Sequence, residues 1–267
     1  MKRNAASYSG SKLSGCKKST LKWKYAGEGV QSAFVCYAVS SKDKTKLSKV
    51  AENAHRCNDK QITPPDECAK VTVLMRDTLG VKSKDSEKKL SRNSMSASKP
   101  VAENDFFVCL RIQFGEFVYA TCGDLSGYTY KTDSHKFHDI ESYVAPMMGE
   151  VDLLNVNHHG SKSATNTKWC NTLKPTVSVI SCGGRSLPND RPLKNLQKVK
   201  SQIYTTGTDC KNVNKFKGIT EMGDDVVVTV PINATQFTFA NSKWKKAKTY
   251  NIKMNKKAPE ACKKLEA

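Results

Sequence analysis

No run of about 20 apolar residues occurs anywhere in the 267 residues, so no helical membrane span is expected. The opening Met1-Lys2-Arg3-Asn4-Ala5-Ala6-Ser7-Tyr8 runs on into Ser, Gly and Lys instead of an apolar core, and no secretory signal is read there. None of the ten cysteines (Cys16, Cys36, Cys57, Cys68, Cys109, Cys122, Cys170, Cys182, Cys210 and Cys262) forms a CxxC pair, which argues against a zinc ribbon or a thioredoxin-type motif. Their even number leaves disulfides open if the chain is exported, so no compartment is assigned. Cys109, Cys122 and Cys182 lie in apolar runs and are expected as buried thiols. The sequon Asn233-Ala234-Thr235 matters only in a secretory compartment.

Acidic residues are also scarce, 25 against 44 Lys and Arg, for a formal net charge of +19. Residues 1–24 hold seven basic residues and no acid, and residues 241–267 hold nine against two, so each end carries +7 and the central stretch only +5. Lysine-dominated ends suit loose contact with a phosphate backbone or another anionic surface, and equally serve as solvated tails. With 38% hydrophobic residues the chain can bury a sizeable core.

Residues 1–19, poor in large apolar side chains, are expected to be disordered. Residues 20–240 are expected to form one domain, with a flexible Lys/Ser-rich loop at 81–100, and residues 241–267 a basic C-terminal tail. Ser32–Val39 and Val71–Met75 read as strands. Phe106–Phe114 and Phe117–Cys122, joined by Gly115-Glu116, read as a hairpin. A short helix is expected over Asp139–Met148, stopped near Pro146, and further helices over Thr167–Leu173 and Leu193–Lys200. Strands are expected at Thr176–Cys182, Ile203–Thr206, Val226–Val230 and Gln236–Phe239. Hairpins followed by strand–helix alternation point to an α/β sandwich.

Three strand ends carry chemistry: Gly123-Asp124, His158-His159-Gly160-Ser161, and the loop after Ser181-Cys182-Gly183. A carboxylate between glycines after a buried strand is a candidate ligand or general base, and also an ordinary Asp turn. Val151–Asn157 reads as an apolar strand delivering two imidazoles to the sheet edge, where loops converge.

Tyr119–Gly127, the approach Asp139–Pro146, the strand into His158-His159-Gly160-Ser161, and Leu173-Lys174-Pro175 leading into Val177–Ser181 together resemble the metallo-β-lactamase superfamily, in particular the hydrolase domain of ComEC-type competence proteins. The likeness runs over roughly residues 100–210. It implies the C-terminal half of an αββα sandwich with a mixed sheet. It also implies a dinuclear zinc or manganese site whose bound hydroxide attacks an ester, amide or phosphodiester. By that resemblance Asp124 matches the carboxylate that binds the metals, His158 or His159 the histidine of the HHGS motif, and Ser161 a supporting position. Adjacent strand residues point to opposite sides, so one of the two histidines is expected to face the metals.

The HxHxDH motif that supplies most ligands in that superfamily is absent. His55 stands alone in Ala54-His55-Arg56-Cys57, and His135 and His138 fall between the hairpin and the HHGS motif. Where the superfamily tends to place His-Pro, this chain has Asn189-Asp190-Arg191-Pro192, and a guanidinium cannot coordinate a cation. Three readings follow: the second half of a hydrolase completed by a missing N-terminal half or a homo-oligomer; a binding module of the same fold whose basic tails contact nucleic acid; or an enzyme whose site recruits His135 or His138. The first predicts an apolar sheet face left without its twin.

Overall fold

The computed structural model describes residues 7–9, 12–14, 69–75 and 102–253, apart from 134, 185, 232 and 233. The expected strand at 32–39, the loop at 81–100, the sequon Asn233, His55, and cysteines 16, 36, 57, 68 and 262 lie outside the described residues. The chain divides into two compact units, Met1–Thr63 and Pro64–Ala267. In the first, β1 (Ser7–Ser9) and β2 (Lys12–Ser14) pair antiparallel within the stretch expected to lack structure.

The second unit is an α/β sandwich built on a seven-stranded mixed sheet. Its strands are β3 (Ala69–Met75), β4 (Cys109–Phe114), β5 (Phe117–Thr121), β8 (Leu153–Asn155), β9 (Val177–Ile180), β10 (Gln202–Thr205) and β11 (Ile219–Glu221), in the order β11-β10-β9-β8-β5-β4-β3. The first three are antiparallel neighbours, and from β5 onward the pairing is parallel. A hairpin of β6 (Gly127–Lys131) and β7 (Lys136–Asp139) lies between β5 and the first helix, and went unread because its short runs mix aromatic and polar residues without an apolar period.

Period-two alternation assigns each strand residue to one of two cores. Val118, Ala120, Leu154, Ile180 and Ile203 face the helices α1 (Glu141–Met148), α2 (Thr167–Leu173) and α3 (Asp190–Lys198), meeting Val144, Met148, Trp169, Leu173, Leu193 and Leu196. Pro146 lies inside α1 and does not end it; the helix stops at Gly149, in a positive-φ conformation. α3 begins three residues earlier than expected, because Pro192 occupies its first turn, where no amide donor is needed.

Phe117, Leu153, Val177, Val179 and Tyr204 face the other way. They meet Phe237, Phe239 and Ile252 of a three-stranded antiparallel sheet, β12 (Val226–Thr229), β13 (Gln236–Asn241) and β14 (Lys248–Asn251). The sheet face expected to stand without its twin is therefore partly covered by the chain itself. A groove of about 610 Å³ remains, lined by Ile112, Phe114, Tyr119, Val226 and Val228 among others. β14 lies within the basic C-terminal stretch: Ile252 is buried, and the Lys253 amide donates to Asp152 Oδ1 at 2.9 Å.

The expected free thiols are corrected. Cys109 pairs with Cys122 and Cys182 with Cys210, while Cys170 is a buried free thiol. Apolar surroundings are equally compatible with both states, and only the approach of the chain segments decides between them.

Candidate functional site

β5, β8 and β9 are parallel neighbours, so their carboxyl ends share one edge of the sheet, the usual place for a site in such sheets. Asp124 follows β5, His158 and His159 follow β8, and Ser181 follows β9. The structure thus brings together the three sequence-predicted strand ends.

The histidines are not on the strand, as the sequence suggested. β8 stops at Asn155, and residues Asn157–Gly160 form a tight turn in which His158 (φ 49°) and His159 (φ 53°) are both left-handed. The turn is closed by hydrogen bonds: His158 N–H donates to the Gly123 carbonyl at 2.9 Å, and Ser161 N–H to the His158 carbonyl at 2.8 Å. Gly160 continues the turn at φ +72°, and a Cβ there would lie 2.6 Å from Pro188 Cβ, so only glycine fits. The cost of this backbone is carried by its anchors.

The two imidazoles consequently diverge. His159 Nδ1 donates to the Ser181 carbonyl at 2.6 Å, since a carbonyl can only accept. In the neutral ring its Nε2 then carries the lone pair, and it stands 3.6 Å from Asp124 Oδ1. That separation is too long for a hydrogen bond. It suits two ligands of one ion, which at metal–ligand lengths near 2.1 Å in tetrahedral geometry lie about 3.4 Å apart.

His158 is held differently. The Asn104 amide donates to the Asp124 carbonyl at 3.0 Å and lies 3.3 Å from His158 Nδ1, and Ser163 Oγ is also 3.3 Å from that nitrogen. With the Asn104 donor facing it, Nδ1 is the acceptor and Nε2 bears the proton. Burial lowers the His158 pKa, against a pull from Asp124 and with a further lowering by His159, which favours the neutral ring. Ser161 Oγ lies 3.0 Å from Ser163 Oγ, so Ser161 supports the site through Ser163.

The loop after the histidines is fixed by a residue that the reading of strand ends overlooked. Glu141, at the start of α1, is fully buried and accepts from Asn157 Nδ2 (2.7 Å), Thr165 N–H (2.6 Å) and Asn166 N–H (2.7 Å). Burial raises its pKa to about 7, against the lowering effect of those donors. A Cβ at Gly127 would lie 2.1 Å from Glu141 Oε2, so that glycine makes room for the carboxylate. An acid flanked by Ile140 and by Val144 and Ala145 was the available signal. Asn104 and Ser163 left no comparable trace in the sequence.

His138 is engaged elsewhere. Its Nδ1 lies 2.7 Å from Oδ2 of the buried Asp105, and its amide donates to the same carboxylate. Burial raises the Asp105 pKa, and the bonds from His138 oppose this. His135 sits in the β6–β7 turn, its amide donating to Thr132 Oγ1 at 2.9 Å. Arg191, where the superfamily tends to place an imidazole, lies over the Tyr128 ring at 4.6 Å. Among the described residues no three His, Cys, Asp or Glu side chains gather where they could hold a metal ion.

Fold and edge together define an α/β sandwich with an Asp–His pair at the carboxyl ends of its parallel strands. No family model matches the chain. It is 31% identical over 81 residues to "Recombination protein 2" of Haemophilus influenzae, covering 29% of this chain and 10% of that protein. It is 26% identical over 116 residues to "ComE operon protein 3" of Bacillus subtilis, covering 42% of this chain and 14% of that protein. The chain thus spans about a tenth to a seventh of the length of these curated relatives.

Proposed function

We propose that the second unit is a hydrolase-type module of the metallo-β-lactamase superfamily, carrying part of a site for phosphodiesters or related esters. The observation that carries this reading is the His159–Asp124 pair. A lone-pair nitrogen, locked by the Ser181 carbonyl, faces a carboxylate oxygen 3.6 Å away, and two acceptors so placed repel each other unless a cation or a proton lies between them. An imidazole nitrogen and a carboxylate oxygen suit zinc or manganese. Asp124 and His159 would hold the ion. His158, with its proton on Nε2, would serve as a donor to a substrate oxygen and not as a ligand. A metal ion bound there would supply a water of lowered pKa and neutralise charge developing on the ester. Two protein ligands are fewer than a catalytic ion needs, and the proposal takes the remaining ones from another chain. The partial likeness to proteins named for recombination and for the comE operon supports DNA as the source of the phosphodiester.

Calorimetric titration with zinc and with manganese tests this, together with hydrolysis of bis(p-nitrophenyl) phosphate in the presence of each ion. Binding that D124A and H159A both abolish is the expected result; equal binding by wild type and both variants would sink the assignment.

A second reading, a binding module without catalysis, is favoured by the lack of a three-ligand group among the described residues and by Arg191 in the place of an imidazole. It predicts nucleic-acid binding by the basic tails with no turnover under any metal.

A further inference from the structure

The outward face of α3 is cationic, and the helix starts beside the histidine turn. Leu193, Asn195 and Leu196 point inward, leaving Arg191, Lys194 and Lys198 exposed at the i, i+3, i+7 spacing of one helix face. The Asn189 amide donates to the Gly160 carbonyl at 2.8 Å, and the Lys162 amide to Asn189 Oδ1 at 2.8 Å, so the start of the helix is bonded to the loop that carries His158 and His159. Lys162 is exposed beside it, and Gln197 Nε2 donates to the carbonyl of Lys217, another exposed lysine. Among the described residues none of these five cations has a carboxylate within salt-bridge distance, and Asp190 is the one acid on α3.

Two features make this more than a solvated face. Arg191 is preorganised: its guanidinium lies over Tyr128 and donates to the Lys162 carbonyl at 3.3 Å, while the Tyr128 hydroxyl accepts from Asn195 at 3.4 Å. Such a fixed fork matches a phosphate better than a mobile lysine does. Two residues further along β6, past an irregularity in its pairing, Tyr130 stacks on Phe137 with ring centres 4.3 Å apart and planes 5° apart, and both rings are partly exposed. Cations that follow a backbone beside aromatic rings that accept bases are the combination that holds single strands, whose bases are free to stack.

We propose that α3, with Lys162, Lys217 and the Tyr128–Tyr130–Phe137 aromatic surface, is a docking surface for single-stranded nucleic acid, placed to lead the strand to the turn that carries His158 and His159. The surface stands whether or not the metal-site reading holds. It places recognition on the folded unit and not only on the basic ends of the chain.

The test is fluorescence anisotropy of the full chain with a labelled oligothymidylate of about 20 nucleotides over a series of salt concentrations. R191E/K194E/K198E should lose at least tenfold in affinity and flatten the salt dependence by about 2 units of slope, from roughly 0.7 per lost contact. Y130A/F137A should lose about tenfold with little change in slope. Wild type should bind equally with and without EDTA, which separates this surface from the metal site. Should the charge-reversed protein fail the fold check by circular dichroism, R191Q/K194Q/K198Q carries the same prediction. Wild-type affinity in the α3 variants, loss only on reversing Lys256, Lys257, Lys263 and Lys264, or binding to phosphatidylserine vesicles without binding to the oligonucleotide would each overturn the proposal.

Discussion

The Ser181 carbonyl accepts a hydrogen bond from His159 Nδ1 at 2.6 Å, and this one bond decides which nitrogen of the ring faces Asp124. Ser181 is followed at once by Cys182, whose disulfide to Cys210 ties the loop after β9 to the loop after β10. Reduction should therefore loosen the acceptor and unlock the ring. Zinc affinity is expected to fall about 10–100-fold in C182S/C210S, the range seen for lost outer-shell partners. The variant should also lose roughly 3–4 kcal/mol of stability, from the loop of 28 residues that the bridge closes. Calorimetric titration and chemical denaturation, with and without reductant, measure both effects.

Glu141 predicts a pH dependence. Its folded pKa of about 7 lies above the ordinary 4.5, so the folded protein holds a proton that the unfolded chain has released. Stability is then greatest below about 4.5 and falls as pH rises toward 7, by up to about 3 kcal/mol if this group acted alone. Urea denaturation across this range should show the decline in wild type, and E141Q should flatten it. E141Q should itself cost about 2–4 kcal/mol, because an amide cannot accept from Asn157, Thr165 and Asn166 together.

Gly160 is predicted to tolerate no side chain. G160A meets both a positive φ and Pro188, and a loss of about 2–3 kcal/mol is expected in thermal or chemical unfolding. G115A shares only the positive φ, with no atom near its would-be Cβ, and should cost about 1 kcal/mol. Equal losses for the two would mean that the Pro188 contact is unimportant.

N104A should release His158 and the Asp124 carbonyl while leaving both side chains of the metal pair in place. Hydrolysis, where present, is expected to fall about tenfold while zinc affinity stays near wild type, and the His158 ring should lose its single tautomer in nitrogen-15 NMR. An unchanged His158 spectrum would remove Asn104 from the site.

The sheet was largely legible in the sequence because apolar alternation is a local property. The Phe106–Cys122 hairpin, the run at 176–182 and the helix Thr167–Leu173 all stand close to where the pattern put them, and in the structure Asn166 caps the helix through Trp169 N–H. Strands β6, β7, β11 and β14 were missed because three to five polar or mixed residues carry no period of their own and are held by their partners.

For the site, sequence alone determined which residue types end the central strands: Asp124, the histidine pair and Ser181. Only the tertiary structure decided how they are used. Parallel pairing put those strand ends on one edge. Two left-handed residues, which no side-chain pattern encodes, turned His159 toward Asp124 and His158 toward Asn104. Buried Glu141, far from the turn in sequence, holds the loop through bonds that exist only once the chain has closed on itself. Residue type sets what a side chain can donate or accept, whereas its partner is set by distances that only the folded backbone creates.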